Sequence, residues 1–205
     1  RSARQSSPAG ISTVLTNGQL HDAIASGYAL VQYAVVAPDG RLFVVFRQRV
    51  DLQNSGEGIY SQTGCVIAQV DRSTGIPTCI DDRMLGVSSF SANGRSPLQF
   101  DAEGGVYYSG SYSADGSLCC SASVVLRRYK NGQNALLSNA QQCIGDVFVA
   151  PSGDVFVTGS TPATNTSFIR RIYATGGLAN ITGSGFLGLP DGNVYASESG
   201  CTRRF

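Results

Sequence analysis

One phrase occurs four times in this chain and limits what it can fold into. A short apolar run leads into a glycine-bearing turn, and a second short apolar run follows. It reads YAVVAPDGRLFVVF from Tyr33 to Phe46, LQFDAEGGVYYSG from Leu98 to Gly110, DVFVAPSGDVFVTGS from Asp146 to Ser160, and FLGLPDGNVYA from Phe186 to Ala196. Aligned on Gly40, Gly104, Gly153 and Gly192, the third residue after each glycine is aromatic: Phe43, Tyr107, Phe156 and Tyr195. Apolar runs on either side of such a turn predict a tight β-hairpin. Four hits in one internal register predict a repeat architecture.

A second hairpin completes each unit. LRRYKNGQNALL from Leu126 to Leu137 resembles IRRIYATGGLANI from Ile169 to Ile181, and both resemble ISTVLTNGQLHDA from Ile11 to Ala23. One unit is therefore four antiparallel strands. The third unit shows them most compactly, at Val147–Ala150, Val155–Ser160, Phe168–Tyr173 and Gly177–Thr182. In the second unit the third strand is expected near Ser123–Tyr129, and in the first unit the second hairpin runs from Cys65 to Ile80. Four strands in roughly 40–50 residues is the spacing of a β-propeller blade. The longer first interval predicts inserted loops at Asp51 to Thr63 and Asp81 to Ser96.

The expected organisation is a flexible N-terminal arm over 1–10 and a single repeat domain over 11–205. Its units are 11–32 (partial), 33–96, 97–144, 145–184 and 185–205 (partial). Both ends fall inside a unit. Either the N-terminal hairpin completes the last blade in a ring of about four, or the 205 residues are a window on a larger chain.

Phrases such as APSGDVFVTGST resemble the bacterial NHL/SBBP-type β-propeller repeat proteins, whose blades carry D-P-x-G-N-x-Y-V-T-G-S. The likeness covers about 14 residues in each of four units. The leading Asp of the family phrase is Ala37, Ala150 or Leu189 here, and Asp101 keeps it without the following Pro. The resemblance implies an all-β fold, a β-propeller or propeller-like array of four-stranded antiparallel blades. Such folds host enzymes, lectins and adhesion scaffolds alike, so it leaves function open.

Composition narrows the class. The 25 glycines, with short apolar runs and no sustained helical period, favour all-β structure. Charged residues make up 14% and the net charge is +1, which argues against a nucleic-acid footprint. No stretch approaches the roughly 20 apolar residues of a membrane span. Arg1 to Gly10 lacks the apolar centre of a signal peptide, so the chain reads as a processed or excised product of an exported protein. Six cysteines suggest an oxidising compartment, extracellular or at the cell surface.

Cys65 and Cys79 lie symmetrically about the turn at Asp71 to Gly75, and Cys120 and Cys143 lie symmetrically about the turn at Lys130 to Gln133. Both pairs are expected as hairpin disulfides. Cys119 and Cys201 remain, to pair with each other or, for Cys201, with a partner beyond Phe205. A vicinal Cys119–Cys120 bridge that frees Cys143 is the other possibility. Zinc ligation is a poor match to adjacent Cys119-Cys120 with one distant histidine.

Catalytic groups are scarce. His21 is the single histidine, and any Ser-His-Asp chemistry would have to use it. Carboxylates for two-acid chemistry or Ca²⁺ are Glu57, Asp81 and Asp82 in the inserted loops and Asp39, Glu103 and Asp191 in hairpin turns. Turn acids usually serve the turn itself. Three arginine pairs recur on third strands: Arg127-Arg128, Arg170-Arg171 and Arg203-Arg204. Neighbours on a strand point to opposite faces, so Arg127, Arg170 and Arg203 would stack across units into a ladder for anionic glycans or an acidic partner. Tyr60, Tyr108 and Tyr112, beside Ser- and Gly-rich loops, are the candidate exposed aromatics, and Asn165 and Asn180 head glycosylation sequons.

These readings favour a secreted or cell-surface, non-enzymatic binding, adhesion or surface-assembly module that acts through its loops and needs no cofactor or metal. Its partner would be a protein or glycan on a surface. One alternative is a propeller lyase or lactonase-like hydrolase using rim carboxylates and a metal. The other is a self-assembling subunit of an extracellular filament or layer.

Overall fold

In the computed structural model each of the four phrases closes the same hairpin. The structure describes residues 3–7, 10–15, 30–47, 65–81, 84–88, 96–112, 123–138, 143–161, 163–183, 185–189, 191–198 and 201–205. Ala37, Asp101, Ala150 and Leu189 each donate their amide to the carbonyl four residues on, at 2.8–3.1 Å. Each also accepts from the turn glycine, at 2.9–3.2 Å. This is a three-residue loop closed by a left-handed residue. Gly40, Gly104, Gly153 and Gly192 supply it at φ 85°, 80°, 83° and 87°, where a Cβ would be strained.

The chain divides into two compact units, Arg1–Val87 with Ser113–Ser121, and Ser88–Tyr112 with Ala122–Phe205. In the first, β1 (Ala3–Ser7) pairs with β2 (Gly10–Leu15). The stretch expected to be a loose arm thus contains a strand, closed at Ser7 opposite Gly10. The Asn17-Gly18 turn lies outside the described residues. A second sheet has the order β3 (Leu30–Val36), β4 (Leu42–Arg47), β5 (Ile67–Val70) and β6 (Pro77–Asp81). Alternate residues Leu42, Val44 and Phe46 of β4 pack with Ala68 and Val70 of β5 on one face. Met84–Ser88 forms β7, so the insertion read over Asp81 to Ser96 holds a strand within its apolar MLGV run.

The second unit contains three antiparallel sheets. In one, β9 (Val106–Tyr112) pairs with β8 (Gln99–Phe100) and with β10 (Ser123–Lys130), and β11 (Gln133–Leu136) lies outside β10. The next runs β12 (Cys143–Val149), β13 (Val155–Thr161), β14 (Thr166–Ile172), β15 (Leu178–Ile181). The last runs β16 (Phe186–Gly188), β17 (Val194–Glu198), β18 (Cys201–Arg204). Among the described residues there is no helix.

Period-two alternation along β12 and β13 gives that sheet two apolar faces. Val147, Val149, Val155 and Val157 pack with Tyr107 and Leu126 of the preceding sheet. Phe148, Phe156, Ile169 and Ile181 pack with Val194 and Ala196 of the following one. The inner strands are also joined by polar groups. The Gln99 side chain donates to the Val147 carbonyl (2.5 Å) and accepts from the Val149 amide (2.8 Å), bridging β8 to β12. Phe148, at the same place in its own repeat, lies so close to Gly188 that a Cβ there would meet its ring at 2.3 Å.

Cys65 and Cys79 form a disulfide with Cα atoms 5.6 Å apart. The pairing is the expected one, but Cys79 stands opposite Ala68 in the strand register. The loop from Asp71 to Ile76 is longer than a symmetric turn, with the Asp71 amide donating to the Ile76 carbonyl at 2.9 Å, which shifts the hairpin centre. Cys65 reaches its partner from the bend before β5.

Candidate functional site

The repeat carboxylates are bound to their own turns. Asp101 is buried and accepts from the amides of Glu103 (2.9 Å) and Gly105 (2.7 Å) and from the Tyr107 hydroxyl (2.9 Å). Burial and the adjacent Asp101 push the Tyr107 phenol up to about 12. Lys130 pairs with Glu103 and stands 3.8 Å from Asp101. Asp39 accepts from the Arg41 amide (3.1 Å) and guanidinium (2.7 Å). Burial pushes its carboxyl up, but these contacts outweigh it and hold it below the usual range. Asp191 is lowered by the backbone amide of Asn193 (3.0 Å) and then by its side chain (2.7 Å).

Asp154, buried at the end of its turn, accepts from the Ala174 amide (2.9 Å) and pairs with Arg171. Burial alone would raise this carboxyl. The Ala174 amide and the Arg171 guanidinium prevail and hold it low.

The arginine pairs lie on opposite faces of their sheets, as strand geometry requires. Arg128, Arg171 and Arg204 stand opposite the repeat aromatics Tyr107, Phe156 and Tyr195. Arg171 lies over the Phe156 ring (5.4 Å) and the Tyr173 ring (4.7 Å), and Arg204 donates to Asn193 (2.8 Å). On the other faces, Arg127 stands opposite Tyr108, Arg170 opposite Val157 and Arg203 opposite Ala196. These three differ in environment. Arg127 is buried, Arg170 stacks on Phe168 at 4.0 Å, and Arg203 is exposed beside Phe205 at 5.3 Å. A uniform exposed ladder is not formed, because what covers each sheet face differs.

Tyr108, expected at the surface, is fully buried, and its hydroxyl donates to Asn134 at 2.6 Å. The sequence places Val106, Tyr107 and Tyr108 in one run, and both faces of β9 are covered there. Tyr60 and the Tyr112 side chain lie outside the described residues, as do His21, Glu57 and Asp82. Asp81 is buried at the end of β6. Asn165 is exposed in the β13–β14 turn at φ 51°. Asn180 is exposed on β15, where its carbonyl accepts from Arg170 at 3.1 Å.

Cys143 is a half-buried free thiol and Cys201 an exposed one. Their expected partners Cys120 and Cys119 lie outside the described residues. The hairpin symmetry behind Cys120–Cys143 does not carry through, since β11 ends at Leu136 and Cys143 opens β12 of the next sheet, opposite Ser160.

A groove of about 120 Å³ lies where Leu137 and Ser138, just past β11, meet the face of β14 that carries Arg170. Sequence reading singled out Arg170 but missed the groove, because its walls come from two sheets. Among the described residues no group of three His, Cys, Asp or Glu side chains could hold a metal, and no helix is long and apolar enough to cross a membrane. Compared with known proteins, the chain matches no family model and no curated sequence.

Proposed function

We propose that this chain is a β-propeller-like, non-enzymatic binding module of the cell surface or extracellular space, built from NHL/SBBP-type repeats. The observation that carries this reading is the use made of the repeat's ionisable groups. Asp39, Asp101 and Asp191 each hold a backbone amide of their own turn, Asp154 holds the Ala174 amide of the neighbouring turn, and Arg41, Lys130 and Arg171 pair with three of the four. Groups spent in this way make a scaffold, and recognition then falls to the residues that differ between repeats. The Cys65–Cys79 disulfide fits an oxidising setting. The test is binding of the labelled chain to intact cells and envelope material from its own source. Saturable binding displaced by unlabelled chain supports the reading; its absence on all such surfaces overturns it.

One observation favours assembly as a second reading. Leu187 of β16 occupies the repeat position at which Gln99 and Phe148 cover the next sheet, yet it is 55% exposed. A sheet from another copy would bury it. Sedimentation that depends on concentration, and is abolished by Leu187→Asp, supports a self-assembling subunit; a monomer at all concentrations excludes it.

A further inference from the structure

On β14, Phe168, Arg170 and Ile172 alternate and so share one face. Val157 and Asn180 stand opposite Arg170, and Leu178 stands opposite Ile172. This face meets Leu137 at the groove of about 120 Å³. Its walls include the buried Ile144 and Val157 and, at 53% exposed, Leu178.

We propose that this groove binds the apolar C-terminal residue of a partner polypeptide, with the side chain in the groove and the α-carboxylate on Arg170. Arg170 is already held in place. Its guanidinium lies over Phe168 at 4.0 Å, and its Nε donates to Asn180 at 3.1 Å. That leaves the terminal nitrogens, and among the described residues Arg170 makes no ion pair. Its neighbour Arg171 is the contrast, being paired with Asp154. A pre-positioned guanidinium edge matches a carboxylate in shape and charge.

The groove's size selects the other half of the ligand. It approaches the roughly 150 Å³ of an engineered apolar cavity that accepts benzene, so it holds one ring or branched aliphatic group and not a long acyl chain. Among the described residues, no further strand pairs with the outer edge of β15. An extended peptide can hydrogen-bond along such an edge, an attachment that a small free acid cannot use. The proposal does not depend on where the protein acts or on the repeat family it resembles.

The test is fluorescence anisotropy with the full chain and a labelled hexapeptide, Ser-Gly-Ser-Gly-Ser-Phe, as free acid and as C-terminal amide. The acid is expected to bind saturably. Amidation, Arg170→Gln and Leu178→Glu are each expected to weaken binding by about tenfold or more, the losses typical of a charge-assisted contact. Both variants should keep the parental melting temperature within a few degrees, and a variant that does not is replaced by Arg170→Lys. Equal binding of acid and amide, or no saturable binding at millimolar peptide, overturns the proposal. N-acetyl-phenylalanine binding as tightly as the hexapeptide overturns the assignment to a polypeptide.

Discussion

Arg171 on β14 stands opposite Phe156 on β13, lies over its ring, and closes an ion pair with Asp154 two residues before it. One contact thus ties the turn of the first hairpin to the third strand of the same sheet, and the Ala174 amide ties in the turn of the second. Arg128 with Tyr107 and Arg204 with Tyr195 keep the same opposition with different polar partners.

Asp154→Asn should destabilise the protein by about 1–3 kcal/mol, since it weakens a charged acceptor and leaves Arg171 without its counter-ion. The effect depends on pH. The folded-state pKa lies below the ordinary aspartate value of 3.8, so the folded form binds fewer protons than the unfolded form in that region. The stabilisation is full above 3.8 and is lost as pH falls through the folded value. Denaturant unfolding of wild type and variant at a series of pH values should show the difference constant near neutrality and shrinking below about pH 4.

Ser109 and Thr158 occupy the same repeat position and should respond oppositely. Thr158 accepts from the Asp146 amide at 2.9 Å, whereas the buried Ser109 hydroxyl has no hydrogen-bond partner among the described residues. The counterpart of Asp146 in that repeat is Pro97, which has no amide hydrogen to give. Thr158→Val should therefore cost about 1 kcal/mol or more, and Ser109→Ala should be neutral or stabilising. Thermal melts of both variants decide this, and equal losses would refute the account.

Gly188→Ala places a methyl group into the Phe148 ring, which lies between packed sheets and cannot simply swing away. Overpacking of this kind costs about 1–3 kcal/mol. Gly176→Ala meets nothing within 4 Å and carries only the strain of φ 92°, about 1 kcal/mol. The ordering of the two melting temperatures is the check.

Replacing Cys65 and Cys79 by serine should lower stability by about 3 kcal/mol, the loop-closure value for a separation of 14 residues. Equilibrium unfolding in denaturant measures the loss, and peptide mapping without reduction should recover the two cysteines as one cross-linked fragment.

The sequence by itself determined the repeat hairpins and their pairing, but not β1 or β7, which lie in stretches that read as an arm and an inserted loop. Turn chemistry and period-two alternation are local, so Pro38, Pro151 and the four turn glycines announce hairpins whatever surrounds them. The Cys65–Cys79 pair was legible for the same reason, although its register was not. Tertiary structure decided what each face meets. Tyr108 looked like a surface aromatic and is buried, because burial depends on which neighbouring segment covers β9. Arg127 and Arg170 read alike in the chain, yet one is buried and the other lines a groove whose far wall is Leu137, more than thirty residues away. Cys143 seemed to extend a hairpin and instead opens the next sheet. Spacing along a chain fixes which way a side chain points, and only packing between sheets fixes what it points at.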